Sequence, residues 1–313
     1  MRAKTVAMLL LTHPSMLDHT GPPGHPERPQ RLEAVLAALE GMPLDRREAP
    51  YARRDALERV HPSAFVSAIE SVFPRPGEGM IALDSGDTFL CDASREAVWR
   101  AAGACTAAVD AVMAGEDATA FCAVRPPGHH AEPAQAMGFC IFNNIAVGAL
   151  HALEAHGLKR VAVIDFDVHH GNGTQAVAQK EGRLFFASTH QSPLYPGTGR
   201  VTDTGVAGNA VNAPLPPGAG SEMWRKAMEA RVLPALDAFA PELVFISAGF
   251  DAHRADPLAE MALEDEDFAW AAAALKEAAG ASARGRIVAS LEGGYDLRAL
   301  ASSAKAFVEA LVG

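Results

Sequence analysis

Three segments of the chain gather carboxylates and imidazoles at short spacing. They read Asp165-Phe-Asp167-Val-His169-His170-Gly-Asn172-Gly, then Ala-Gly-Phe-Asp251-Ala-His253, and Arg-Pro-Pro-Gly-His129-His130. On an extended segment residues two apart point the same way, so Asp167 and His169 can share one ligand, with Asp251 as the obvious third donor. Two carboxylates and one imidazole suit a borderline divalent ion such as Zn²⁺ and leave a position open for water and substrate. Taken singly, Asp251 reads as a helix cap and a lone histidine as an ordinary surface or core residue. The coincidence of all three groups, each at the end of an apolar run, favours a metal site.

Positioning these groups is the task of the runs before them. Segments 120–124, 160–164, 184–187, 243–247 and 286–291 are short and rich in Val, Ile and Phe, the pattern of central strands buried on both faces. Stretches 92–114, 144–156, 222–238, 265–279 and 297–311 read as helices between them. Such alternation predicts an α/β fold with a parallel sheet and helices on both faces. The run 6–11 reads as a buried first strand, because six apolar residues with no cleavage site after them do not make a signal peptide. No linker, composition shift or repeat divides 1–313, so one domain is expected. Pro/Gly-rich segments 21–29, 125–130, 192–199 and 213–218 read as loops, and in open α/β sheets ligands bind in loops beyond the carboxyl ends of strands.

The 313 residues are 49% hydrophobic and carry 27 Lys and Arg against 38 Asp and Glu, a formal charge of −11. That balance argues against a direct nucleic-acid partner, which needs a basic face. No apolar run approaches the ~18 residues of a membrane span. Cys91, Cys105, Cys122 and Cys140 are far apart and form no CxxC, which points to a reduced compartment and a cytoplasmic protein.

Five motifs in order, RPPGHHA (125–131), GFCIFNN (138–144), DFDVHHGNGTQ (165–175), SAGFDAH (247–253) and LEGGYD (291–296), resemble the zinc-dependent histone deacetylase family. Bacterial deacetylase-like amidohydrolases and acetylpolyamine amidohydrolases belong to it, and GHPERPQR (24–31) is similar to class II-type members. The resemblance implies a single arginase-like α/β domain and one catalytic zinc held by Asp167, His169 and Asp251. Gly171 and His253 stand where arginases use carboxylates for a second metal. It further implies His129 and His130 as the tandem catalytic histidines, Asp165 and Asn172 as their respective partners, and Tyr295 facing the substrate carbonyl. A structural potassium ion is implied beside Asp165, Asp167, His169 and Ser188. Gly138, Phe139 and Tyr195 match the walls of the substrate channel, Arg31 matches an internal arginine that could guide acetate out, and Leu258 stands where polyamine-selective relatives carry a Glu gatekeeper.

The expected activity is release of acetate from an N-acetylated amine, in the first place the acetyllysine side chain of a protein or peptide. An acetylpolyamine or other small acyl-amine deacetylase is the alternative within the enzyme class, and a non-catalytic acyl-lysine binding module the alternative outside it. Zinc or ferrous iron would serve as the metal. No long dimerising insertion stands out between Ile81 and Cys91, which predicts a wide mouth open to peptides and leaves the oligomeric state open.

Overall fold

The computed structural model describes residues 8–313; the start of the predicted first strand, 6–7, lies outside them. Among the described residues ten strands alternate with helices. The strands are β1 (Met8–Thr12), β2 (Leu44–Glu48), β3 (Ile81–Ala82), β4 (Phe89–Leu90), β5 (Thr119–Cys122), β6 (Val161–Asp165), β7 (Leu184–Gln191), β8 (Ala210–Leu215), β9 (Leu243–Ala248) and β10 (Ile287–Leu291). The α-helices are α1 (Pro29–Ala38), α2 (Arg54–Glu58), α3 (Ser63–Val72), α4 (Ser94–Met113), α5 (Asn144–Glu154), α6 (Asn172–Ala178), α7 (Ser221–Ala227), α8 (Leu233–Phe239), α9 (Asp265–Ser282) and α10 (Leu297–Val312).

Eight strands form one parallel sheet in the order β2-β1-β5-β10-β9-β6-β7-β8. Helices α4 and α5 pack together, while α10 packs against α1 and α9, so apolar surface is covered in two helical groups. Every residue of β5, β6, β7, β9 and β10 is buried, which is why these strands read as continuous apolar runs rather than alternating ones. Among the described residues no helix is long and apolar enough to cross a membrane.

The differences from the sequence pattern have physical causes. β2, Leu-Asp-Arg-Arg-Glu, is an edge strand with four exposed residues, so no apolar signal marks it. β8 is the other edge, where Pro214 costs no ladder bond to a further strand. The helix expected over 222–238 is divided by a π-helical turn, Met228–Val232, before α8. Pro234, within the first turn of α8, lacks the N–H a continuous α-helix would need there. A short antiparallel hairpin, β3–β4, occupies the stretch before Cys91.

Candidate active site

The strand order explains how distant motifs meet. β5, β10, β9 and β6 are consecutive in the sheet, so the loops after their carboxyl ends are neighbours. They deliver His129 and His130, Glu292 to Tyr295, Asp251, and Asp167 with His169. Asp167 and Asp251 are fully buried and His169 nearly so.

The three expected donors converge. His169 Nδ1 lies 3.1 Å from Asp167 Oδ1 and 3.1 Å from Asp251 Oδ2. Burial opposes a charge on His169, yet the two carboxylates hold its pKa up at about 10, so this pocket demands a cation. The remaining carboxylate oxygens are fixed by backbone donors: Val168 N–H donates to Asp251 Oδ1 (2.9 Å) and Gly293 N–H to Asp167 Oδ2 (2.8 Å). A Cβ at Gly293 would collide with both carboxylates, so only glycine permits this approach. Two buried carboxylates and one imidazole Nδ1 aimed at a common point fit a borderline divalent ion.

Behind the donors, the tandem histidines have opposite environments. His129 Nδ1 contacts Asp165 Oδ2 at 2.9 Å; burial opposes its charge, but Asp167 and Asp165 together raise its pKa well above the ordinary value. His130 is pushed well below it by burial and by the charges of His129 and His169. Asn172 fixes the tautomer of His130. Its amide Nδ2 donates to the Glu132 carboxylate (2.9 Å), so Oδ1 faces His130 Nδ1 at 2.8 Å and accepts a hydrogen bond from its N–H. The lone pair of His130 is thereby left on Nε2.

A cavity of about 230 Å³ opens onto these groups, lined by His130, Gly138, Phe139, His169, Leu194, Tyr195, Leu258, Tyr295 and Asp87. Gly138 and Phe139 both have positive φ, 56° and 67°. At Phe139, a residue with a bulky side chain, that conformation stores strain. It is held by Phe139 N–H donating to Thr88 Oγ1 (2.9 Å). A Cβ at Gly138 would strike the His130 ring and stand 3.0 Å from the Tyr195 hydroxyl, so that hydroxyl lies against the wall beside His130. Burial raises the Tyr295 phenol well above its usual value, with the Arg31 guanidinium opposing.

Arg31 is fully buried, which excludes an exposed helix-start arginine. Its guanidinium lies 4.8 Å from the Tyr295 ring centroid and donates to Gly294 O (2.6 Å), Glu292 O (2.5 Å) and Glu27 Oε1 (3.0 Å). Every nitrogen is thus engaged, Nε and Nη2 in holding the 292–295 turn and Nη1 on Glu27. Ser188 is the register partner of Asp165, and its hydroxyl contacts His190 Nδ1 at 2.9 Å. Leu258 lines the cavity and donates its backbone N–H to Asp256 Oδ1.

Several residues escaped the sequence reading. Glu292 accepts from the backbone N–H groups of Gly128 (2.7 Å) and His129 (3.2 Å), bracing the histidine loop; burial pushes it up to about 7. It sits inside LEGGYD, three residues before Tyr295. Asp256 accepts from Tyr295 N–H (2.6 Å) and sits beside Leu258. Asp87 is brought to the cavity by the β3–β4 hairpin, and nothing in its local sequence marks it. Glu27 and Arg125 form a buried bidentate pair (2.5 and 2.7 Å) that supports Arg31 from below.

Known proteins share sequence and fold with this chain. Residues 25–311 match the family described as histone deacetylase domain. The histone deacetylase-like amidohydrolase of Pseudomonas aeruginosa is 40% identical over 299 residues, 93% of this chain and 77% of that protein. Histone deacetylase 10, chloroplastic, of Oryza sativa is 38% identical over 92% of this chain and 70% of its own. A probable deacetylase of Methanothermobacter thermautotrophicus is 38% identical over 97% and 91%. The crystal structure of the HDA15 HD domain superposes with a TM-score of 0.92 at 35% identity, covering 99% of this chain and 89% of that one.

Proposed function

The chain belongs to the histone deacetylase family, and on that premise we propose that it is a zinc-dependent amidohydrolase that releases acetate from acetyllysine side chains of proteins or peptides. The observation that carries this reading is the convergence of Asp167 and Asp251 on His169, which lines a cavity together with His130 and Tyr295.

Asp167, His169 and Asp251 would hold the zinc. When bound, the ion supplies Lewis-acid polarisation of the amide carbonyl and lowers the pKa of a coordinated water toward ~7. His130, neutral with its lone pair on Nε2, takes the proton of the attacking water and hands it to the departing amine nitrogen. His129, charged against Asp165, holds positive charge beside the site throughout. Tyr295 donates its phenolic proton in a hydrogen bond to the carbonyl oxygen, which gains charge as the carbon becomes tetrahedral. Phe139 and Tyr195 flank the stem of the substrate. A monovalent cation, potassium, is proposed beside Asp165, Asp167, His169 and Ser188, supported by the pairing of β6 with β7.

Acetylated polyamines form the second reading, favoured by the Asp87 carboxylate in the cavity wall, which would meet a distant ammonium. The uncharged Leu258 supports the lysine reading. To test the enzyme claim, chelator-stripped protein is reconstituted with zinc and acetate release from an acetyllysine peptide is measured. Recovery of turnover at one equivalent of zinc is expected. Ligand binding that persists with no turnover at any zinc level would replace the enzyme with a binding module.

A further inference from the structure

Outside the catalytic cavity, one other group among the described residues brings three metal-ligating side chains together: Asp110, His151 and His156, whose ligand atoms all lie within 4.8 Å of one another. Asp110 belongs to α4, His151 to the last turn of α5, and His156 to the turn between α5 and β6. Both imidazole Nε2 atoms stand 2.7 Å from the same oxygen, Asp110 Oδ1. The two rings are nearly perpendicular, 80° apart with centroids at 5.5 Å. The histidine side chains are 13% and 26% exposed and that of Asp110 59%, so the imidazoles are held while the carboxylate faces water.

We propose that this trio is a second divalent-metal site, which takes Zn²⁺ through the two Nε2 atoms and the Asp110 carboxylate, with water completing the shell. Two imidazoles and one carboxylate form a donor set for borderline ions; an oxygen-only surface cluster would suit calcium or magnesium instead. In a tetrahedral site with bonds of about 2.0–2.1 Å the donors stand about 3.3 Å apart, so the two contacts need open by only about 0.6 Å. The bound ion ties α4 to the turn that leads into β6, the strand from which Asp167 and His169 emerge.

Arg59 gives the proposal a distinctive signature. Its Nη1 lies 3.0 Å from His151 Nδ1 and donates to it, which requires a lone pair on Nδ1 and a proton on Nε2. A metal on Nε2 reverses that tautomer and places the proton on Nδ1. Arg59 must then let go, and Asp55, already 3.3 Å from its Nη2, is there to receive it. Arg59 is therefore a competitor of the ion, and removing it tightens binding.

The test is zinc stoichiometry and affinity by equilibrium dialysis of the full chain at neutral pH. Wild type is expected to hold about two zinc ions per chain. Asp251→Ala should hold about one, and His151→Ala with His156→Ala about one with unchanged hydrolytic activity. Asp110→Asn serves as a second variant should the paired histidine change disturb the helix end. In the Asp251→Ala background, Arg59→Gln should lower the Kd for the remaining zinc by about tenfold or more, the scale on which groups that orient a ligand alter metal affinity. The proposal is overturned if the double-histidine variant or Asp110→Asn holds as much zinc as wild type, or if Arg59→Gln weakens binding. Failure of the catalytic zinc reading shows separately, as an undiminished zinc content in Asp251→Ala.

Discussion

Glu27 lies buried between two arginines, accepting bidentate hydrogen bonds from Arg125 and one from Arg31. Burial alone would raise its pKa, but Arg125 and Arg31 overcome it and bring the value from 4.5 down to about 2. A depression of about 2.5 units corresponds to about 3.4 kcal/mol of folding stability carried by the ionised form at pH 7. An independent guide, the ~3–5 kcal/mol lost when one member of a buried ion pair is removed, gives the same size. Glu27→Gln keeps the volume and removes the charge, so urea unfolding at pH 7 should show a loss of about 3–4 kcal/mol. The sign of the pH dependence follows from the depressed pKa. The ionic contribution is fully present above pH 4.5 and is lost as pH falls through about 2. At pH 3 only about 1.4 kcal/mol of it remains, so the difference between wild type and variant should shrink by about 2 kcal/mol. A wild-type-to-variant difference below about 1 kcal/mol at pH 7, or one that does not shrink on acidification, would refute the reasoning.

Other consequences bear on the site. Asn172→Asp puts a carboxylate against His130 Nδ1 and favours the imidazolium, so the acid limb of the kcat/KM profile should move up by about 1 unit or more. An unmoved limb would remove His130 as the base. Asp251→Ala deletes one of three converging donors, and loss of activity with loss of one bound zinc is expected by metal analysis; retained zinc at that site would contradict the donor assignment. Leu258→Glu adds a charge at the cavity wall and should shift kcat/KM toward acetylspermidine over an acetyllysine peptide by about tenfold, as like and unlike charges redirect partners. An unchanged ratio would mean that Leu258 only packs its loop.

Much of this architecture was legible because the chemistry sits at the ends of fully buried strands. β5, β6, β7, β9 and β10 have no solvent-facing side, so their apolar runs stand out, and the polar residues that follow them stand out in turn. Spacing alone paired Asp167 with His169, and the structure brings Asp251 to them across the adjacent β9. What lacked a signal is also physical. β2 and β8 are edges, where water and a proline break the apolar pattern. Arg31 was legible only through the resemblance; Glu27 and Arg125 join segments about a hundred residues apart, and a charge buried by such a partner looks in sequence like any surface charge. Asp87 reaches the cavity only through the fold of the β3–β4 hairpin. The π-helical turn before Pro234 follows from that proline, yet an apolar helical periodicity runs straight through it.

The most direct test of the central claim compares kcat/KM for an acetyllysine peptide and for acetylspermidine on zinc-reconstituted wild type and Tyr295→Phe. The ring of Tyr295 is held by Arg31 and by Phe139 at 5.8 Å, so the variant keeps its packing and loses only the donor. Turnover of the peptide is expected to be at least about tenfold better than of the polyamine, with a fall in kcat of about 10²–10³ in the variant and little change in KM. A wild type that binds both compounds and hydrolyses neither, or a variant as active as wild type, would contradict the claim.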